Sequence, residues 1–146
     1  MMILAVASGG GHFVQLKKIL FYFESEVLTV YSTMENPSLN LNCKYQVIPD
    51  CNIYNFYGLF RCFMSLFCKI YILRPKVVIS TGAAPGFLAL LVGKILGAKT
   101  IWIDSIANSE KLSLSGRMAR FVADKWYTQW PELSSENGPY YIGSVL

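Results

Sequence analysis

At 146 residues the chain is long enough for one domain with a real core, yet short for an enzyme that must hold two substrates by itself. It is 53% hydrophobic and only 15% charged, so some apolar surface is expected to face a membrane or a protein partner. The net charge of +4 is spread out with no Lys/Arg block, which gives no basis for nucleic-acid binding and leaves a mild preference for anionic surfaces.

The apolar run Met2–Ala7 predicts a buried strand. It opens onto Ser8-Gly9-Gly10-Gly11-His12 and a helix over His12–Glu24, with Phe13, Leu16, Leu20 and Phe23 on one face. A strand is expected over Glu26–Tyr31, a polar loop over Ser32–Asn42 and a short strand over Lys44–Ile48. Phe56–Leu73 reads as a long apolar helix stopped by Arg74-Pro75. Val77–Ser80 is the next strand, followed by a glycine-rich loop and a helix over Gly86–Leu96 that Gly97 terminates. Thr100–Asp104 is a strand, and Ser113–Asp124 a helix capped by Ser113 or Ser115. Trp126–Gln129 and Tyr140–Ile142 fit two last short strands. Strands alternating with helices predict an α/β fold, a Rossmann-like doubly wound parallel sheet, in a single domain over residues 1–146.

Two glycine-rich loops at strand ends place helix N-termini along one sheet edge, a natural seat for phosphate or another anion. In the first, Gly9, Gly10 and Gly11 allow close backbone approach, and His12 falls in the first helical turn. There a neutral imidazole can take a proton from a sugar hydroxyl or bond a phosphate; a tight strand–helix turn with an exposed histidine fits the same residues. The dinucleotide G-x-G-x-x-G spacing fails at Val14. In the second loop, Thr81, Gly82, Ala83, Ala84, Pro85 and Gly86 offer a hydroxyl, small residues and a helix-starting proline; close helix–sheet packing is the other reading. Asp104 ends an apolar strand at the same edge, as a general base, a sugar ligand or a loop cap.

The Phe56–Leu73 helix is greasier than a one-sided helix needs. Arg61, Ser65 and Lys69 form a narrow polar stripe among Phe60, Phe63, Met64 and Phe67. This suits a helix lying in an anionic membrane interface, with Phe60, Arg61, Phe63, Met64, Phe67 and Lys69 in contact; a buried or partner-docking helix is the alternative. The cysteines Cys43, Cys51, Cys62 and Cys68 contain no C-x-x-C pair, and there is one histidine, so no metal site is expected. Cys62 and Cys68 lie about 120° apart on a helix, and all four read as reduced thiols.

Taken together, Ser8–His12, the stretch Ile79–Gly86, the stretch Gly97–Ser105, Leu112–Arg117 and Gln129–Glu132 resemble PssD-type oligosaccharide biosynthesis proteins. Their eukaryotic counterpart is the membrane-anchoring subunit of the two-chain N-acetylglucosaminyltransferase of the dolichol pathway. The resemblance implies the N-terminal half of a GT-B glycosyltransferase, similar to one half of MurG. A separate PssE-like chain would supply the half that holds the UDP-sugar donor, with no other cofactor. This half would bind a polyprenyl-diphosphate-linked saccharide and sit at the cytoplasmic face of the cell membrane. Ser8, Gly9, Gly10, Gly11, Thr81, Gly82, Ala83, Pro85 and Gly86 would hold the acceptor diphosphate, and His12 or Asp104 would take the hydroxyl proton. A non-catalytic scaffold recruiting a competent partner is the other reading. The eukaryotic subunit has an N-terminal membrane anchor, whereas here Met2–Ala7 is already a strand, so Phe56–Leu73 is the expected membrane contact.

Overall fold

The computed structural model describes residues 1–23, 27–35, 38–40 and 42–145. Strands β1 (Met2–Ala7), β2 (Val27–Ser32), β3 (Lys44–Val47), β4 (Val77–Ser80), β5 (Lys99–Ile103), β6 (Lys125–Thr128) and β7 (Tyr140–Tyr141) form one sheet. Their order is β3-β2-β1-β4-β5-β6-β7, and every neighbouring pair is parallel. The chain winds outward from β1 to β3, returns to β4 beside β1, and winds the other way. The crevice at the carboxyl ends of β1 and β4 is therefore the topological switch point, where open α/β sheets bind ligands.

Strand alternation divides the core into two layers. Ile3, Ala5, Ala7, Leu28, Val30 and Ile79 face helix α1 (Gly11–Leu20) and its Phe13, Leu16 and Leu20. Leu4, Val6, Tyr31, Val78 and Trp102 face helices α2 (Phe56–Leu73) and α3 (Ala83–Ile95). The short helix α4 (Leu114–Met118) lies on the same side, its neighbours Ala119 and Val122 joining that layer.

The predicted elements are all present; Met2–Ala7, Phe56–Leu73 and Val77–Ser80 keep the expected bounds, and the others have shifted ends. The first helix gives way to a 3₁₀ turn at Phe21–Phe23; its expected end at Glu24, and the expected strand start at Glu26, lie outside the described residues. Helix α3 begins at Ala83, ahead of the expected start, and carries Pro85 in its first turn, where a backbone N–H has no helical partner to lose. It ends at Ile95, with Gly97 at φ +85°, the left-handed stop expected. The helix expected over Ser113–Asp124 is shorter: α4 is followed by a 3₁₀ turn at Ala119–Phe121. Strand β5 pulls the chain out of the helix. The Thr100 hydroxyl donates to the Val122 carbonyl (2.6 Å), and the Asp124 N–H donates to the Thr100 carbonyl (2.9 Å).

Helix α2 is capped by Asn55, whose side chain accepts from Gly58 N–H (3.0 Å), and closes at Arg74 in the left-handed region. Only Cys62, Leu66 and Ile70 are buried. By length and composition it is the one described helix that could cross a membrane, yet only 17% of it is buried inside the protein. The expected surplus of apolar side chains is real: Phe56, Tyr57, Phe60, Met64, Tyr71 and Ile72 are exposed. Exposure differs within the expected contact set. Phe63 and Phe67 are half-buried and pack against the core. Lys69 reaches across to the edge strand: its ammonium donates to the exposed Gln46 Oε1 (2.8 Å) and stands 5.8 Å from the centre of the Tyr31 ring. Phe60, Arg61 and Met64 remain on the outer face.

Candidate functional site

The two glycine-rich loops meet at the switch point. Gly10 caps α1 at φ +77°, and its carbonyl accepts from the N–H groups of Phe13 and Val14 (both 3.1 Å). Gly9 N–H donates to Thr33 Oγ1 (2.9 Å), which ties the first loop to the end of β2. In the second loop, Gly82 N–H donates to Ser80 Oγ (3.3 Å). Gly82 caps α3 at φ +148°, and a Cβ there would overlap the His12 ring at Nδ1. Glycine is thus required at 82 both by its backbone and by its neighbour. Ala83 follows at φ +66°, a left-handed conformation that costs a non-glycine residue about 1–3 kcal/mol and that concentrates at functional sites.

His12 clamps one loop to the other. Its Nδ1 lies 3.2 Å from the Thr81 carbonyl, and the Thr81 hydroxyl donates back to the His12 carbonyl (2.7 Å). A carbonyl can only accept, so Nδ1 carries a proton and faces Thr81, which leaves Nε2 as the ring nitrogen free to face a ligand. The Thr81 hydroxyl, expected at the loop mouth, is instead fully buried in this clamp. Pro85 and Gly86 are buried as well, and a Cβ on Gly86 would overlap Ser80 Oγ. Close helix–sheet packing, rather than ligand contact, explains that glycine. Ser8 is half-buried, while Gly10 and Gly11 are exposed at the open end of α1.

Beside His12 lies a cleft of about 290 Å³. Ala83 and Ala84 form the wall on the α3 side, Cys51, Asn52 and Ile53 a second, and Asn108, Ser113 and Ser115 a third. Of the loop residues singled out in the sequence, His12, Ala83 and Ala84 line it. The polar residues Asn52, Asn108, Ser113 and Ser115 were missed. The signal available for them was their position at the strand-to-helix crossovers that open onto this same edge.

Of the readings open for Asp104, the structure shows the loop cap. Asp104 is 1% exposed, and both carboxylate oxygens are occupied. Oδ1 accepts from Trp102 Nε1 (3.1 Å) and Ser113 Oγ (2.8 Å); Oδ2 accepts from Asn108 Nδ2 (3.1 Å) and Ser113 N–H (3.2 Å). Four donors match the four lone-pair sites of a carboxylate, which leaves none for a hydroxyl proton. Asp104 braces the third wall: Asn108 and Ser113 both hang on it, and Ser113 in turn caps α4 through Gly116 N–H (2.8 Å). A Cβ on Gly116 would overlap Asp104 Oδ1. Gln129 and Trp130 complete the brace, donating to the carbonyls of Asp104 (2.9 Å) and Ile106 (2.8 Å).

The seven-stranded parallel sheet, the paired glycine loops at its switch point and the cleft beside His12 define a Rossmann-like lobe of the GT-B fold. Acinetobacter baumannii MurG superposes with a TM-score of 0.75 over 98% of this chain and 45% of that one, at 12% identity. A UDP-GlcNAc 2-epimerase from Neisseria meningitidis, solved with UDP-GlcNAc, superposes at 0.67 over 90% of this chain and 40% of that one, at 10% identity. The chain belongs to the family described as "Oligosaccharide biosynthesis protein Alg14 like", which it matches over residues 22–145. It is 35% identical over 81 residues to the "UDP-N-acetylglucosamine transferase subunit ALG14" of Cryptococcus neoformans var. neoformans serotype D, covering 50% of this chain and 35% of that one. To the Mus musculus protein of the same name it is 34% identical over 84 residues, covering 51% and 37%. The matches span about a third of the length of these relatives.

Proposed function

We propose that the chain is the acceptor-binding subunit of a two-component glycosyltransferase. It takes part in transferring a sugar from a UDP-sugar, UDP-N-acetylglucosamine by the relatives' name, to a polyprenyl-diphosphate-linked saccharide. A PssE-like partner supplies the donor-binding half, and the complex works at the cytoplasmic face of the membrane. The observation that carries the reading is the His12 clamp: one imidazole, its Nδ1 held by the Thr81 carbonyl, beside a cleft at the switch point. His12 Nε2 accepts the proton of the attacking hydroxyl. Gly9 N–H and Gly82 N–H already have partners, so the acceptor diphosphate sits on the first-turn N–H groups of α1 and α3. Asp104 acts as a positioning residue for the wall that carries Asn108 and Ser113. The exposed aromatic face of α2 holds the complex on the lipid surface.

The test is transfer of labelled N-acetylglucosamine from UDP-N-acetylglucosamine to a polyprenyl-diphosphate-linked sugar by the chain co-purified with its PssE-like partner. His12→Ala is expected to cut turnover by about 10²-fold or more while partner binding is kept. Unchanged turnover removes His12 from the chemistry and favours the scaffold reading, in which this chain only recruits a competent transferase.

A further inference from the structure

The polar side chains of the cleft differ in which of their atoms are still free. Asn108 Nδ2 donates to Asp104 Oδ2 (3.1 Å), and the Asn108 N–H donates to the Ser105 carbonyl (3.0 Å). A carboxylate accepts, so the amide is locked with Nδ2 toward Asp104. Turning it over would set two acceptors against each other with no proton between them. Oδ1 is therefore the Asn108 atom left for the cleft, and among the described residues nothing donates to it. Asn52 has the opposite polarity. Its Oδ1 accepts from Tyr54 N–H (3.0 Å), a turn closed by the side chain, so Nδ2 is the atom left free. Ser113 is spent on Asp104 and on Gly116 N–H. The Ser115 hydroxyl has no partner among the described residues and can give or accept. No lysine, arginine or carboxylate lines the space.

We propose that Asn52 and Asn108 are specificity-determining residues, which read the sugar ring of the acceptor in this cleft and keep its diphosphate out. Asn108 accepts through Oδ1 from a hydroxyl or amide N–H of the sugar. Asn52 donates through Nδ2 to an oxygen of the same sugar. This sugar subsite rests on the acceptor-site reading and divides that site in two. A phosphate carries negative charge and offers only acceptor oxygens. In the cleft it would meet the Asn108 oxygen with no proton between them, and it would find no cation on the walls. A sugar hydroxyl both donates and accepts, so it satisfies either asparagine. The diphosphate stays on the first-turn N–H groups of α1 and α3, and the ring lies along Ala83 and Ala84 beside His12. The size agrees with a single ring. The cleft's volume of about 290 Å³ falls at the lower end of the roughly 300–1,000 Å³ of ligand pockets. Locked polarity is what makes the pair selective. A site built to hydrogen-bond a hydroxyl rejects the analogue that lacks it, because its own polar group is then left unpaired.

The first test needs no activity. The side-chain amide resonances of Asn52 and Asn108 are followed by NMR in the isotope-labelled chain, assigned by their loss in Asn52→Ala and Asn108→Ala. N-acetylglucosamine 1-diphosphate and glucose 1-diphosphate are the sugar probes, and inorganic pyrophosphate is the probe without a sugar. At least one sugar diphosphate is expected to shift both amides, and pyrophosphate neither. Equal shifts with pyrophosphate would make the cleft a phosphate seat and overturn the subsite. So would a response of the Gly10 and Gly11 amides to the sugar diphosphates while both asparagines stay still, although the diphosphate seat would then stand. If neither the loops nor the asparagines respond, the acceptor-site reading fails and the subsite with it. The second test is transfer by the complex to acceptors lacking one sugar hydroxyl at a time, the attacked one excepted. One of these is expected to lose about 10-fold or more in kcat/KM with the wild type. Asn108→Ala, its fold checked by circular dichroism, is expected to lose a similar factor on the parent acceptor and no more on that analogue. An equal further loss on the analogue would mark a merely structural role and overturn the assignment of Asn108. Asn52→Ala, at an exposed position, is expected to leave the hydroxyl dependence read by Asn108 intact. A complex that never transfers counts against the acceptor-site reading, while the resonances still decide the subsite.

Discussion

Gly82 is the residue on which the geometry of the site turns. It must adopt φ +148°, and it must leave room for the His12 ring. Gly82→Ala is therefore expected to push the imidazole off the Thr81 carbonyl, lowering transfer as far as His12→Ala does, with a loss of stability on top; paired transfer assays and urea melts of the two variants check this. Asp104 makes the opposite kind of prediction. Asp104→Asn turns an amide NH₂ toward groups that already donate, so the buried brace loses about 1–3 kcal/mol, read from urea denaturation. The pH profile of transfer should keep its shape in whatever fraction of the complex stays folded. A changed profile would return Asp104 to the chemistry. In the sequence His12 and Asp104 stood as alternative proton acceptors at the same sheet edge. The structure separates them by what already occupies their lone pairs.

Among the elements, α2 carries the largest consequence. Its inner stripe, Cys62, Leu66 and Ile70, closes one core layer, while Phe60 and Met64 point outward at 58% and 42% exposure. Leu66→Ala should cost about 2–5 kcal/mol, measured by denaturation. Phe60→Asp with Met64→Asp should leave the melt unchanged and release the chain from anionic vesicles in a flotation assay. Full retention on vesicles would assign that face to a protein partner. Phe63 and Phe67 are unsuitable for this test, because carboxylates there would disturb the core rather than a surface. Elsewhere, Lys94 on α3 pairs with Asp124, which also accepts from Thr100 N–H (2.9 Å). The Lys94 ammonium, foremost, holds the Asp124 carboxyl below the usual carboxylate range. A depressed folded-state value stabilises the fold above the unfolded carboxylate range and loses that contribution as pH falls through the folded value. The melting temperature should therefore drop as pH falls below about 4, and less steeply in Asp124→Asn.

For the whole molecule, the decisive quantity is what it binds alone. Calorimetry with UDP-N-acetylglucosamine is expected to show no binding to the isolated folded chain and binding once the PssE-like subunit is added. Micromolar binding by the chain alone would place the donor site here and overturn the division of labour. The α1 side of the sheet bears on the same question. Ile103 and Tyr127 line a cavity of about 320 Å³ there, with the tail residues Ile142 and Val145.

Much of this architecture was legible from periodicity. Apolar runs set between helical stripes impose parallel strands, and parallel strands with glycine-rich turns impose a switch-point edge, because backbone geometry and burial act locally. The two loops, the apolar excess of α2 and the stop at Gly97 all follow from short-range rules of that kind. What only the tertiary structure decided is which polar groups are already satisfied. The sequence could not show that Thr81 is consumed by His12, that four donors saturate Asp104, or that Lys69 reaches Gln46. Each of those outcomes depends on partners brought together by the fold, and a hydrogen bond, unlike a hydrophobic stripe, has no period along the chain.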